Sequence, residues 1–174
     1  MHKTTHPLLR LLKHRWFDER DAARALGPQG LARIEGLVAE SEHHHNGQIR
    51  VCVEAGLPTS YIRRRASAHE RALALFGKLG VWDTEQNNGV LIYLLLAEHT
   101  IAIVADRGLN AHATRQDWDN AIARMRPGLR AGRFADGLAE AIAAVDATLR
   151  RAYPCTPGDG PRAANELSDR PLIL

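Results

Sequence analysis

A chain of 174 residues, 45% hydrophobic and 25% charged, has the length of one domain and the apolar content to bury a core, which excludes wholesale disorder. A formal charge of +3 is too mild for a dedicated nucleic-acid binder. Cys52 and Cys155 are the two cysteines and build neither a disulfide framework nor a zinc spacing, so a reducing, cytoplasmic setting is expected.

The N-terminal segment, 1–27, centres on the apolar stripe Leu8, Leu9, Leu11, Leu12 and Trp16, set among Arg10, Lys13, His14 and Arg15. This predicts an amphipathic helix. Five large apolar residues call for docking on the domain, although the basic polar face also suits a membrane surface. The segment lacks the uninterrupted apolar stretch and the cleavage site of a signal peptide. The longest apolar run, 89–97, is about half the length of a membrane span.

Gly27-Pro28 breaks the chain, and a second helix is expected over 29–44 with Leu31, Ile34, Leu37 and Val38 on one face. Asn46-Gly47 stops it. Residues 48–55 alternate and are β-branched, which predicts a strand. Residues 60–80 read as one helix with Ile62, Ala66, Leu73, Phe76 and Leu79 as its stripe, and with Arg63, Arg64, Arg65 and Arg71 around the rest. An arginine run could meet phosphates, but such runs are mostly solvated faces, so nucleic acid is not the expected partner.

Residues 88–97 are almost continuously apolar, as in a strand buried on both faces. A two-residue turn at Glu98-His99 is expected to return the chain as a strand over 100–106, pairing Ala97 with Thr100 and Asn88 with Leu109. Amphipathic helices follow over 114–125 and 134–151, parted by Arg126-Pro127-Gly128 and Gly132. From 153 to 174 a Pro- and Gly-rich loop leads into a tail. The order helix, strand, helix, strand, strand, helix, helix predicts the α/β class. The expected architecture is a three-layer α/β/α sandwich over 28–152, with a small mixed sheet made of a parallel crossover and an antiparallel hairpin.

That topology gathers four features at one sheet edge: the start of the first strand with the preceding His43-His44-His45, Asn87-Asn88-Gly89 at the start of the second, Asp106-Arg107-Gly108 at the end of the third, and the helix start at Thr114. Ligands of open α/β sheets bind at such edges. Asp106, Asn88 and Asp83 supply oxygen donors suited to calcium or magnesium, and Asn87, Gly89, Arg107 and Gly108 complete a candidate ligand-binding set. The alternative is that Asn88 and Asp106 cap strand ends. Adjacent histidines point different ways on a helix, so His43–His45 are a poor chelate. Asp117 and Asp119 fall in a helix start rather than the post-strand loop of an aspartyl-phosphate enzyme. The run from Cys155 to Arg162 is one residue too long for a phosphate-cradling cysteine loop, and its prolines remove donors. His69-Glu70 lacks the second histidine of a zinc-protease helix. No nucleophile stands out.

The stretches EHHHNGQIRVCV (42–53), FGKLGVWDTEQNNGVLIYLLL (76–96), IAIVADRGL (101–109) and LRAGRFADGLAEAI (129–142), with Asn165-Glu166-Leu167 and 171–174, resemble the TPM domain family in its short members without a membrane anchor. Gln48 and His45 depart from the Glu and Thr expected after Glu42. The resemblance implies an α/β/α sandwich, a divalent ion in a cleft of some members, and an acid phosphatase activity attributed to a plant branch. Three readings follow. One is a calcium-type binding domain acting through a protein partner. A second is a metal-assisted phosphatase in which Arg107 stabilises developing charge. The third is nucleic-acid binding through Arg63–Arg65.

Overall fold

The computed structural model describes residues 7–16, 18–155 and 165–174. Its elements are α1 (Pro7–Arg15), α2 (Glu19–Glu42), β1 (Gln48–Glu54), α3 (Thr59–Arg63), α4 (Ala68–Lys78), β2 (Gly89–Leu95), β3 (Thr100–Ala105), α5 (Arg115–Arg130), α6 (Phe134–Ala152) and β4 (Leu172–Ile173). The sheet order is β3-β2-β1-β4, with β1 parallel to β2 and β4, and β2 antiparallel to β3.

Side-chain alternation along the strands builds two cores. Ile49, Val51, Val53, Val90, Ile92 and Leu94 pack with Ile34 and Val38 of α2, Leu129 of α5, and Leu138 and Val145 of α6. Cys52, Leu91, Tyr93 and Leu95 pack on the opposite side with Ile62 of α3 and Ala72 and Leu75 of α4. Every residue of β2 is buried, as its unbroken apolar run requires. The expected three layers and mixed sheet are present.

Three local expectations are corrected and one break is met. The single helix over 60–80 is two helices. Arg65 takes a left-handed φ of 56°, and Ser67 restarts the chain through a capping box with Glu70. The break expected at Gly27-Pro28 is present: Gly27 takes the non-helical φ 65°, ψ 166° and kinks α2 into two helical pieces, the first of which starts at a capping box of Asp18 with Asp21. The β2–β3 turn is longer than two residues: Leu96–Glu98 form a 3₁₀ turn and His99 sits at φ 49°. Leu95 therefore pairs with Thr100 and Val90 with Ala105, which sets Asn88 against Arg107 rather than Leu109. The slip is two residues, so each side chain keeps its face. Lastly, the C-terminal tail supplies a strand, tied in by Leu174 N–H to Val53 O at 2.9 Å and Ala55 N–H to Leu174 O at 3.0 Å.

Helix α1 docks against α3. His14 is buried; its Nδ1 accepts from the Leu57 N–H at 3.0 Å, so its Nε2 carries the proton toward Glu98 at 3.0 Å. Arg10 donates to the same carboxylate at 2.8 Å and to Ala66 O at 2.7 Å.

Candidate functional site

Backbone pairing fixes the polar end of the hairpin. The Asp106 N–H donates to Gly89 O at 2.9 Å and the Gly108 N–H to Asn87 O at 3.2 Å, bracketing Asn88. The Gln48 N–H reaches Asn88 O at 3.4 Å and brings in the start of β1. Three of the four segments expected at this edge are thus joined directly. The fourth, at Thr114, follows the 3₁₀ turn Arg107–Leu109 and is closed by its own capping box with Asp117.

Asn88 is buried. Its backbone N–H donates to Thr84 Oγ1 at 3.1 Å and its Nδ2 to Asn46 O at 2.7 Å. The carbonyl partner fixes the amide orientation and leaves Oδ1 as an acceptor with nothing donating to it. Asp106 Oδ1 accepts from the Arg107 N–H at 2.6 Å, while its Oδ2 has no donor. Among the described residues these two oxygens, Asn88 Oδ1 and Asp106 Oδ2, are the buried side-chain polar atoms without a partner.

The other expected site residues have definite places. Asn87 adopts φ 52°, which asparagine tolerates better than most residues. Its Oδ1 accepts from Arg107 Nη2 at 3.0 Å, holding the exposed Arg107 across the hairpin end. Beside Gly89 the space for a Cβ is filled by the Val81 carbonyl. Beside Gly108 it is filled by the Tyr153 hydroxyl and the Asn87 carbonyl. Asp83 is exposed on the turn that its own N–H closes onto Gly80 O at 2.9 Å. No group of three or more His, Cys, Asp or Glu side chains is assembled for a metal among the described residues.

Tyr153, Asn46 and Thr84 complete the neighbourhood, and none of them was picked out by sequence pattern. Burial and the Asp106 carboxylate push the Tyr153 phenol upward, and Tyr153 O accepts from the Asn46 N–H at 2.9 Å. A tyrosine at the end of an amphipathic helix carries no sequence signal that it returns to a hairpin more than forty residues earlier in the chain.

The three histidines diverge. His44 Nδ1 lies 2.6 Å from Arg150 Nη2, and His43 is exposed. His45 is buried: its Nδ1 accepts from the Gly47 N–H at 3.1 Å, so its Nε2 donates to Ser41 Oγ at 3.0 Å, and Ser41 donates onward to Asp146 at 2.9 Å. These residues resemble a hydrolase triad in type but not in direction, because the hydroxyl gives its proton to the carboxylate and not to the imidazole. Desolvation holds the His45 pKa down to about 4. Beside this group opens a cleft of about 200 Å³, lined in part by Glu42, His45, Gln48, Asn165 and Asp169. Glu42 accepts from the Ile49 N–H there, and Gln48 Oε1 from the N–H groups of Glu166 and Leu167.

Residues 20–148 match the TPM domain. The chain belongs to the TPM domain family. The BA42 protein of the psychrophilic bacterium Bizionia argentinensis, solved by NMR, is 25% identical to this TPM domain protein. It superposes with a TM-score of 0.66 over 82% of this chain and 93% of that one. The N-terminal domain of a P. gingivalis protein, 20% identical with a TM-score of 0.60 over 78% of this chain and 84% of that one, shares the fold. No curated protein matches the chain. No helix among the described residues is long and apolar enough to cross a membrane.

Proposed function

We propose that this TPM domain binds a hard divalent cation, calcium or magnesium, at the Asn88–Asp106 end of the sheet, and serves as a binding domain for a protein partner. The carrying observation is the pair of buried oxygens without donors, Asn88 Oδ1 and Asp106 Oδ2. Leaving a buried acceptor unpaired costs about 1–3 kcal/mol, and more when it is charged, so two on neighbouring strand ends call for a ligand. An amide oxygen and a carboxylate oxygen are donors of the type calcium and magnesium take, with water and loop groups making up the remaining coordination. Asp83, on the exposed turn ahead of Asn88, would join through movement of that turn.

Calorimetry on chelator-treated protein tests this reading. Heat on adding calcium or magnesium that is lost in Asp106→Asn and reduced in Asn88→Ala supports it. Absence of heat with either ion in the parent protein overturns it.

A metal-assisted phosphatase is the second reading, and Arg107 favours it. Its guanidinium is exposed next to Asp106 and held by Asn87, so it could meet a phosphoryl oxygen. Phosphomonoester turnover by homogeneous protein that disappears in both Asp106→Ala and Arg107→Ala is the result this reading requires.

A further inference from the structure

We propose that α1 and α3 together form a surface that seats on an anionic lipid membrane. The amphipathic N-terminal helix is only partly used in docking. Leu11 packs on the α3–α4 core, and His14 with Arg10 anchors the helix to Glu98. The next face of the same helix is left out. Leu12 is 54% exposed and Trp16, one turn on, is 83% exposed. An indole and a leucine one turn apart match the anchors of interfacial helices, whose apolar side chains enter the headgroup boundary while cations stay at its surface.

The charge around them selects the occupant. From Met1 to Phe17 the sequence holds Lys3, Arg10, Lys13 and Arg15 and no carboxylate, and from Leu57 to Ser67 it holds Arg63, Arg64 and Arg65 and no carboxylate. All 20 Asp and Glu residues of a chain with a net charge of only +3 therefore lie elsewhere. Because α1 lies against α3, the helices within these two segments are neighbours. Arg15, Arg63, Arg64 and Arg65 are all exposed. Arg64 is turned toward Glu70 at 3.2 Å and over the Tyr61 ring. Arg10 reaches inward to Glu98. Among the described side chains that leaves Arg15, Arg63 and Arg65 as cations for an external surface. Each arginine near an anionic leaflet raises partitioning by about fivefold. A protein partner would have to match the apolar pair Leu12 and Trp16 together with the cations Arg15, Arg63 and Arg65. A leaflet of anionic lipid needs no such match.

The test is sedimentation with phosphatidylcholine vesicles, with and without phosphatidylglycerol, using the full chain and recording tryptophan emission. The parent protein should sediment with the anionic vesicles only, its emission should shift to the blue, and binding should weaken as salt rises. Trp16→Ser with Leu12→Ser, and separately Arg63→Glu with Arg65→Glu, should each lower partitioning by at least about tenfold. All four side chains are exposed, so circular dichroism should be unchanged. The proposal is overturned if the parent protein does not bind anionic vesicles, binds neutral ones equally, or binds unchanged after both double substitutions. It is likewise overturned if Trp16→Ser abolishes a dimer seen by light scattering without vesicles, or if the arginine pair governs RNA mobility at moderate salt and not vesicle binding.

Discussion

Arg71 of α4 closes on Glu54 with two guanidinium nitrogens, Nη2 to Oε1 at 2.6 Å and Nε to Oε2 at 2.9 Å. The carboxylate stands at the last position of β1 and also accepts the Tyr93 hydroxyl at 2.6 Å, so one buried anion ties α4 to two central strands. The ion pair keeps Arg71 charged, while burial beside Glu54 pushes the Tyr93 phenol upward. Replacing a complete buried pair by apolar residues can be neutral, whereas removing one partner leaves a bare buried charge. Arg71→Met should therefore cost about 3–5 kcal/mol in urea unfolding. The double variant Glu54→Leu with Arg71→Met should recover much of that loss. A loss in the double variant equal to the sum of the losses in Glu54→Leu and Arg71→Met alone would show that the pair is not coupled.

The His45 pKa, about 4 when folded against 6.5 for the free side chain, makes a pH prediction whose sign is fixed. Between those values the unfolded chain binds a proton that the folded chain excludes, so stability falls as the pH drops. The contribution is complete above 6.5, is lost progressively toward pH 4, and amounts to at most about 3 kcal/mol. His45→Asn removes the titrating group and keeps an acceptor for the Gly47 N–H. Urea melts at pH 7.5, 5.5 and 4.5 should show the parent losing stability faster than the variant on acidification. Parallel losses would place the sensitivity in other groups.

Glycine at 89 is required by the path of the chain. A Cβ there would run into the Val81 carbonyl, which is backbone and cannot rotate away. Gly89→Ala should therefore destabilise by about 1–3 kcal/mol, the usual range for forcing extra volume into a packed site. Gly36, where a Cβ meets nothing within 4 Å, serves as the comparison: Gly36→Ala should be neutral or stabilising, because alanine is the better helix former. A chemical-denaturation series on the two variants decides the point.

These results also separate what sequence can show from what it cannot. The apolar run from Val90 to Ala97 and the alternation around Val51 are decided by local chemistry, and with them came the layers, the hairpin and its polar end. Register was lost at Leu96–Glu98, because a two-residue turn and a 3₁₀ turn with His99 left-handed demand similar residues. The break at Arg65 was written in Ser67 and Glu70, a capping box masked by the apolar stripe around it. Leu172–Ile173 is too short to show a period and exists as a strand only because β1 offers an edge. In the site, Asn88 and Asp106 were legible as polar residues ending apolar strands. Tyr153, Asn46 and Thr84 reach them through tertiary contacts that no spacing encodes.

The two unpaired oxygens give the last prediction, on cation removal. A ligand that binds only the folded state stabilises it by an amount that grows with concentration, about 2.7 kcal/mol at a hundred times its dissociation constant. Calcium at saturating concentration should raise the melting temperature of the parent protein, and chelation should reverse the rise. Asp106→Asn keeps an acceptor for the Arg107 N–H while removing the buried charge, so in chelator it should be no less stable than the parent and should gain little from calcium. Asn88→Ala is different, because it also removes the donor to Asn46 O and so should lose about 1–3 kcal/mol even without the ion. Asp106→Asn is the cleaner probe. If it melts at the parent's temperature in chelator and still rises with calcium as the parent does, the ion is held somewhere other than Asp106.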